Sequence, residues 1–462
     1  MKGIYIIIIS TLCYSFSFGQ GTILSYEEYI DIVQKNHPLV IQAMLLDEKS
    51  DAYKLKAKGE LDPTIGGEYY QKSFDDKNYY RQFDGKLKIP TWYGIDFEAG
   101  YEYNDGDFLN EEGTLPVNGL LNAGISVPLG RGLFFDERRR VIEEAKLIAK
   151  ENTLKQKEIY NKLMFSANKA YINWQLQYNN ILVFNRARDI SFETFNNTKS
   201  AFEVGDKTAV DTLEYKLYLD SRTADILKAE QDYYIATQEL NLQLWDDGVV
   251  PLELEDDVLP ESINTELWSE TIDLASLEYR EAVSQVTQVR QLDIEGDRLQ
   301  LDKRLFKENL KPTIDVKFNP LLRINENNRF LAYTTDDFKI GAALYYPIFN
   351  RKTKGELKLI DIEQQQLQLD QKNLLQDLRL YIAALYNNLN SLEEQRSLAA
   401  QNEITARQLL EAEYIKFDIG ESSLFLLNAR EQAKLGYELK KLKTIKEILY
   451  NKAEFMFVLQ TY

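Results

Sequence analysis

The chain contains one cysteine, Cys13, and one histidine, His37. A single thiol leaves no disulfide framework, and without a Cys/His set no zinc constellation can form. One imidazole gives almost no capacity for histidine acid/base chemistry, and no grouping of nucleophile, base and oxyanion donors can be assembled from the pattern. The sequence therefore reads as a non-enzyme, with no cofactor and no metal of its own. Basic charge is short as well. Against 73 Asp and Glu stand 55 Lys and Arg, a net charge of -18, the opposite of the polycation that a phosphate backbone requires, so nucleic acid is not an expected partner. Beyond the N-terminus there is no long apolar run. Every periodic stretch is studded with Lys, Glu, Gln and Asn, which removes transmembrane helices and leaves strands as the way through a bilayer.

What is present is size and apolar content: 462 residues, 44% hydrophobic and 12% aromatic. That is about three times a ~150-residue domain, with enough apolar surface to fold. Met1-Lys2, an apolar stretch from Gly3 to Phe16, and Ser17-Phe18-Gly19 before Gln20 form a signal peptide pattern, residues 1–19, with cleavage expected after Gly19. As a membrane anchor the run falls short of the ~20 residues that span a bilayer. Lipid attachment at Cys13 is the other alternative, disfavoured by the bulk of Leu12 before it.

Proline and glycine are placed unevenly. No proline lies between Pro128 and Pro251 or after Pro347, and Gly205 is the only glycine between Gly132 and Gly248. An interior proline costs a helix about 3 kcal/mol and a glycine about 1, so these spans predict long helices. Apolar residues step by three and four along them: Leu163, Ala167, Ala170, Trp174, Tyr178, Ile181 and Phe184, then Leu374, Leu378, Tyr381, Leu385, Leu389 and Leu392. Such narrow seams predict helices packed side by side. Elsewhere the period is two. Ile95, Phe97, Ala99, Tyr101 and Tyr103 alternate with polar residues, as do segments within 121–127, 314–318 and 338–344. Strands of about 9–11 residues with aromatics near their ends suit an outer-membrane barrel, and a soluble sandwich has the same alternation.

The two halves share landmarks in one order. Leu61-Asp62-Pro63-Thr64-Ile65 returns as Leu310-Lys311-Pro312-Thr313-Ile314, Val127-Pro128-Leu129 as Tyr346-Pro347-Ile348, and Phe202-Glu203-Val204-Gly205 as Phe417-Asp418-Ile419-Gly420. A tandem duplication follows. The expected organisation is a first repeat at 20–244, with strands at about 63–128 and a helix pair at about 136–244; an acidic connecting segment at 245–270; and a second repeat at 271–462, with strands at about 313–346 and a helix pair at about 352–459. The stretch from Ala229 to Tyr279 has no Lys or Arg and carries Asp246, Asp247, Glu253, Glu255, Asp256 and Asp257. It reads as an acidic solvated girdle outside the helices, its spacing fitting no EF-hand for calcium.

On these residues the chain resembles the outer-membrane efflux protein (TolC) family. The most specific signature is an aromatic, two residues, a glycine and a small or acidic residue further on, at Phe202 to Asp211 and less completely at Phe417 to Leu426. The resemblance implies an α+β membrane protein: a homotrimer whose transmembrane β-barrel continues into a long periplasmic α-helical barrel, with two repeats per protomer. It implies an outer-membrane exit duct of a tripartite efflux or type I secretion system, passive and driven by an inner-membrane pump through a periplasmic adaptor. The tip contacting the adaptor would comprise Gly205, Asp206, Lys207 and Thr208, with Gly420, Glu421, Ser422 and Ser423. The periplasmic gate would comprise Asp211, Glu214, Phe425 and Leu426, a single acidic layer or partly hydrophobic constriction. The plainer readings are C-cap glycines in polar turns and, for Asp211, a solvated helix residue. A periplasmic coiled-coil adaptor or scaffold without a membrane barrel is the alternative function.

One departure from the family pattern is expected. The first half carries 30 more residues between its strand-flanking prolines (Pro63 to Pro128, against Pro312 to Pro347). They hold a candidate strand at about 82–89, a tight Pro90-Thr91-Trp92-Tyr93-Gly94 turn and a strand at about 94–104. Long loops are expected at about 74–81 and 105–118. Six strands per protomer and a wider barrel follow, or else a hairpin lying outside a conventional barrel. Arg138, Arg139 and Arg140 are read as a charged helix start that could snorkel at the membrane boundary, and His37 as a helix cap with no ligand role.

Overall fold

The computed structural model describes residues 23–269, 282–324 and 331–462. The signal segment with its cleavage position at Gly19, Cys13, and residues 270–279 of the acidic stretch lie outside the described residues. In chain order the elements are β1 (Ile23–Leu24), α1 (Tyr26–Asn36), α2 (Pro38–Lys58), β2 (Thr64–Phe74), β3 (Lys77–Pro90), β4 (Asp96–Asp105), β5 (Leu120–Pro128), α3 (Glu137–Glu203) and α4 (Ala209–Asn241). The short pairs β6 (Trp245–Asp246), β7 (Val250–Pro251) and β8 (Leu259–Pro260) follow. The chain continues with α5 (Thr287–Glu308), β9 (Thr313–Ile324), β10 (Leu331–Tyr345), α6 (Arg351–Asp418) and α7 (Leu424–Leu459). The 67 residues of α3 and 68 of α6 correspond to about 100 Å each at ~1.5 Å per residue. Among the described residues no helix is long and apolar enough to cross a membrane.

The described residues divide into two compact units, one drawn from 43–158 and 283–377, the other from 23–42, 159–269, 282 and 378–462. The first holds a six-stranded sheet in the order β10-β9-β5-β4-β3-β2, antiparallel throughout. The extra residues of the first half are β3 and β4, inside the sheet; β3 begins five residues before its expected start at about 82, and β4 lies close to its expected bounds. The expected loop at 74–81 is absent. Asp75 and Asp76, both at φ 53°, close a two-residue hairpin whose left-handed pair matches strand twist, and Asp tolerates that region better than most residues.

Register keeps the two faces distinct. Ile89, Phe97, Ile125, Phe318 and Ile340 form one cross-strand row on an apolar face that also carries Ile65 and Tyr69 of β2 and Leu344 of β10. The opposite face is polar, with Lys88 across from Glu98 and Asp96 in one row with Ser126 and Lys317. The three arginines are held by ion pairs and hydrogen bonds at the charged start of α3. Arg138 pairs with Asp96 at 2.6 Å and Asp136 at 3.0 Å; buried Arg139 donates to the Trp92 carbonyl at 2.8 Å; Arg140 pairs with Glu137 and Glu144. Arg138 and Arg139 tie the first turn of α3 to the β3–β4 turn, where Gly94 at φ 79° leaves room for the Arg139 guanidinium.

The second unit is helical. Its core gathers Tyr29, Val33, Leu163, Ala167, Tyr171, Trp174, Ala236, Leu240 and Val258. The expected α3 seam is buried through Trp174 and half-buried from Tyr178 on. On α6 the buried line is Ile382, Leu385, Leu389, Leu392, Ala399, Ala406 and Leu410. Tyr381, expected on that seam, is 44% exposed and its hydroxyl donates to Glu454. Ile382, three residues before Leu385, takes the buried place that Tyr381, four residues before it, was expected to hold. His37 ends α1, its Nδ1 accepting the Leu39 N–H at 3.1 Å, which satisfies a donor at the start of α2.

Candidate functional site: the paired hairpin turns

The α3–α4 and α6–α7 connections are built alike. Each long helix ends on a glycine in the left-handed region, Gly205 at φ 89° and Gly420 at φ 78°. The Gly205 N–H donates to Phe202 O and the Asp206 N–H to Ala201 O (3.0 and 2.8 Å); the Gly420 N–H donates to Phe417 O and the Glu421 N–H to Lys416 O (3.1 and 2.8 Å). The longer-range bond of each pair is the six-to-one bond of a Schellman cap, which requires positive φ and hence favours glycine. The returning helices start on Thr208 and Ser423, whose hydroxyls accept the N–H of Asp211 at 3.2 Å and Leu426 at 3.3 Å.

Asp211 and Leu426 are thus the same position of the two caps. Asp211 completes a capping box: its carboxylate accepts from the Thr208 N–H and hydroxyl, both at 2.8 Å. These donors hold the carboxyl below the usual carboxylate value. Leu426 cannot return the bond, so the second cap is half-made. Glu214, Asp206 and Glu421 are exposed, as are Phe425 at 76% and Leu426 at 38%. Lys207 lies over the Phe417 ring at 4.4 Å and Ser422 donates to Glu413 at 2.5 Å. A cleft of about 490 Å³ opens beside this contact, lined by Glu193, Asn197, Lys207, Tyr414 and Phe417.

Behind the turns lies a polar network that sequence reasoning missed. Arg222, 3% exposed, donates to Asp225 at 2.9 Å, to the Tyr218 hydroxyl at 2.8 Å and to Gln432 of α7. Glu431 is buried and accepts from the Tyr414 hydroxyl of α6. Burial pushes the Glu431 carboxyl above its ordinary value, opposed by hydrogen bonds from Tyr414 and Tyr218 and by the Arg222 charge. Burial also pushes the Tyr218 hydroxyl up to about 12. The Tyr215 hydroxyl is buried without a hydrogen-bond partner. The available signal was spacing: Tyr215, Arg222 and Ala229 recur every seven residues on the buried line of α4, so a charged residue at a core position was legible as one needing partners. Among the described residues no cluster of His, Cys, Asp and Glu fits a metal ion.

No family model and no curated protein matches the sequence. Solved structures do match. The CmeC outer membrane channel of Campylobacter jejuni is 14% identical, covers 94% of this chain and 85% of its own, with TM-score 0.64. The outer membrane protein VceC of Vibrio cholerae is 12% identical, at 94% and 95% coverage and TM-score 0.65. The open state of the MtrE outer membrane channel of Neisseria gonorrhoeae is 14% identical, at 94% and 88% coverage and TM-score 0.63. From strand pairs to glycine-capped turns, this chain has the fold of the TolC-like outer-membrane channels.

Proposed function

We propose that this chain is an outer-membrane exit duct: a passive homotrimeric conduit, with no catalysis, serving an efflux or type I secretion system that an inner-membrane pump and a periplasmic adaptor drive. The carrying observation is the sheet. It has one apolar and one polar face, and among the described residues its outer strands β2 and β10 have no neighbour on their far sides. Hydrocarbon does not tolerate open strand edges, and bacterial barrels need at least ~8 strands, so six strands close only with other copies. The helices support the same reading. On α4 a second apolar line, Val210, Leu213, Leu217, Leu227 and Tyr234, is each at least 63% exposed at heptad spacing, as expected of a surface covered by a neighbouring coil.

In this reading the protein resides in the outer membrane and extends into the periplasm, with two tandem repeats per protomer. Gly205, Asp206, Lys207, Thr208, Gly420, Glu421, Ser422 and Ser423 form the adaptor-contacting tip. Asp211, Glu214, Phe425 and Leu426 form the gate, where three copies would stack a ring of Asp211 carboxylates on an apolar ring, a geometry that favours cations. Two experiments test it. Membranes washed with carbonate should retain the protein until detergent is added; release without detergent returns it to the adaptor or scaffold class. The Asp211→Ala trimer should lose cation preference in bilayer recordings, and an unchanged reversal potential removes Asp211 from the gate.

A further inference from the structure

Strand count bears on what can leave. Resting on the trimeric reading above, we propose that β2 of each copy pairs with β10 of the next to close an eighteen-stranded barrel, and that the β3–β4 hairpin sets a bore wide enough for a solvated polypeptide helix. Three observations carry it. First, β3 and β4 sit in the interior of the sheet, paired from Thr64–Lys88 to Phe74–Lys77 on one side, with one register shift between Lys72 and Ser73 near the hairpin end, and without a break from Asp96–Ser126 to Glu102–Leu120 on the other, so they are wall and not appendage. Second, an even number of strands alternating in direction puts β2 and β10 antiparallel across any junction between copies, and 11 residues of β2 meet 15 of β10. Third, the apolar face is continuous to both edges, with Ile65 at 86% and Tyr69 at 59% exposure on β2 and Ile340 at 65% and Leu344 at 68% on β10. A shared lipid face then passes from one copy to the next without a break.

The geometry follows from strand spacing. At ~4.8 Å between strands and a tilt of ~40°, eighteen strands give a backbone diameter of about 36 Å and twelve give about 24 Å. Inward side chains take about 5 Å from each wall, half the usual sheet-to-sheet spacing, leaving bores of about 26 and 14 Å. An α-helix with side chains is ~10–12 Å across and would fill the narrower bore, while the wider one keeps water around it. The polar face suits passage of either sign of charge, because its charges are paired on the wall: Lys88 with Asp96 at 2.9 Å, Lys86 with Asp84 at 2.6 Å and Lys317 with Glu98 at 3.3 Å.

The test is a distance. The sequence has one cysteine, Cys13, so in a Cys13→Ser background an Ala123→Cys substitution on β5, or Ile340→Cys on β10, carries a single nitroxide per copy. In the detergent-solubilised trimer, threefold symmetry puts equivalent β5 backbone positions about 31 Å apart for eighteen strands and about 21 Å for twelve. Double electron–electron resonance should give the longer value, and excision of residues 77–105, which leaves β2 and β5 antiparallel neighbours, should shorten it by about a third. A trimer showing the shorter distance in the intact protein overturns this inference alone. A single-chain mass with no distance between copies overturns the duct reading beneath it. If the excised variant fails to fold, the intact distance still decides.

Discussion

Gly205 and Gly420 on one side, and Gly355 and Gly436 on the other, should respond to alanine with opposite signs. At Gly205 and Gly420 an added Cβ meets nothing within 4 Å, so no clash contributes and the whole cost is the left-handed backbone at φ 89° and 78°. That cost is roughly 1–2 kcal/mol per residue. It falls on the last turn of α3 or α6, so hydrogen exchange there should accelerate about 5- to 30-fold. Gly355 and Gly436 also meet nothing within 4 Å, but they lie inside α6 and α7, where alanine is favoured by roughly 0.5–1 kcal/mol, so exchange around them should slow. Exchange mass spectrometry on peptides covering 201–206, 352–358, 416–421 and 433–439 reads all four variants. Gly205→Asn should sit between wild type and Gly205→Ala, because Asn enters the left-handed region more easily. Unchanged exchange at 201–206 in Gly205→Ala, or acceleration around position 436 in Gly436→Ala, would refute the conformational argument.

Asp211→Ala removes a capping box and should cost roughly 1 kcal/mol at the start of α4, whereas Leu426→Ala, at the half-made cap, should leave α7 fraying unchanged in the same exchange experiment. Glu431 binds its proton more tightly folded than unfolded, so its contribution is fully present below the unfolded carboxyl value and lost as pH rises through the folded one; Glu431→Gln should flatten the decline in thermal stability from acidic towards neutral pH, read by circular dichroism. Tyr215→Phe removes a buried hydroxyl without a partner and should raise the melting temperature, since leaving such a group unpaired costs about 1–3 kcal/mol. Arg139→Met leaves the Trp92, Leu133 and Gly132 carbonyls without their shared donor, and proteolysis should become faster at the β3–β4 turn.

Much of this was legible because few physical rules set it. With no proline between Pro128 and Pro251 and Gly205 the only glycine between Gly132 and Gly248, the break between α3 and α4 had one place to fall, and two-residue alternation located β4 and β5 nearly to their ends. Less legible features depended on partners distant in sequence. The Asp75-Asp76 turn read as a loop because neither residue is the glycine usual in such turns. Tyr381 and Ile382 both step to Leu385, by four residues and by three, and nothing local in the sequence chooses between them. Arg138–Arg140 read as a charged helix start because Asp96 and Trp92, the anchors of Arg138 and Arg139, lie more than forty residues upstream. The Arg222–Glu431 network spans three helices, and nothing local in the sequence names Tyr414 or Gln432 as partners.

The central claim is that a single copy leaves its sheet open and is completed only by others. Light scattering on the detergent-purified protein tests it most directly. The account predicts a particle whose protein mass is three times that of the processed chain, persisting on dilution and lost only with the fold; a folded, monodisperse particle of one chain, stable in buffer without detergent, would contradict it.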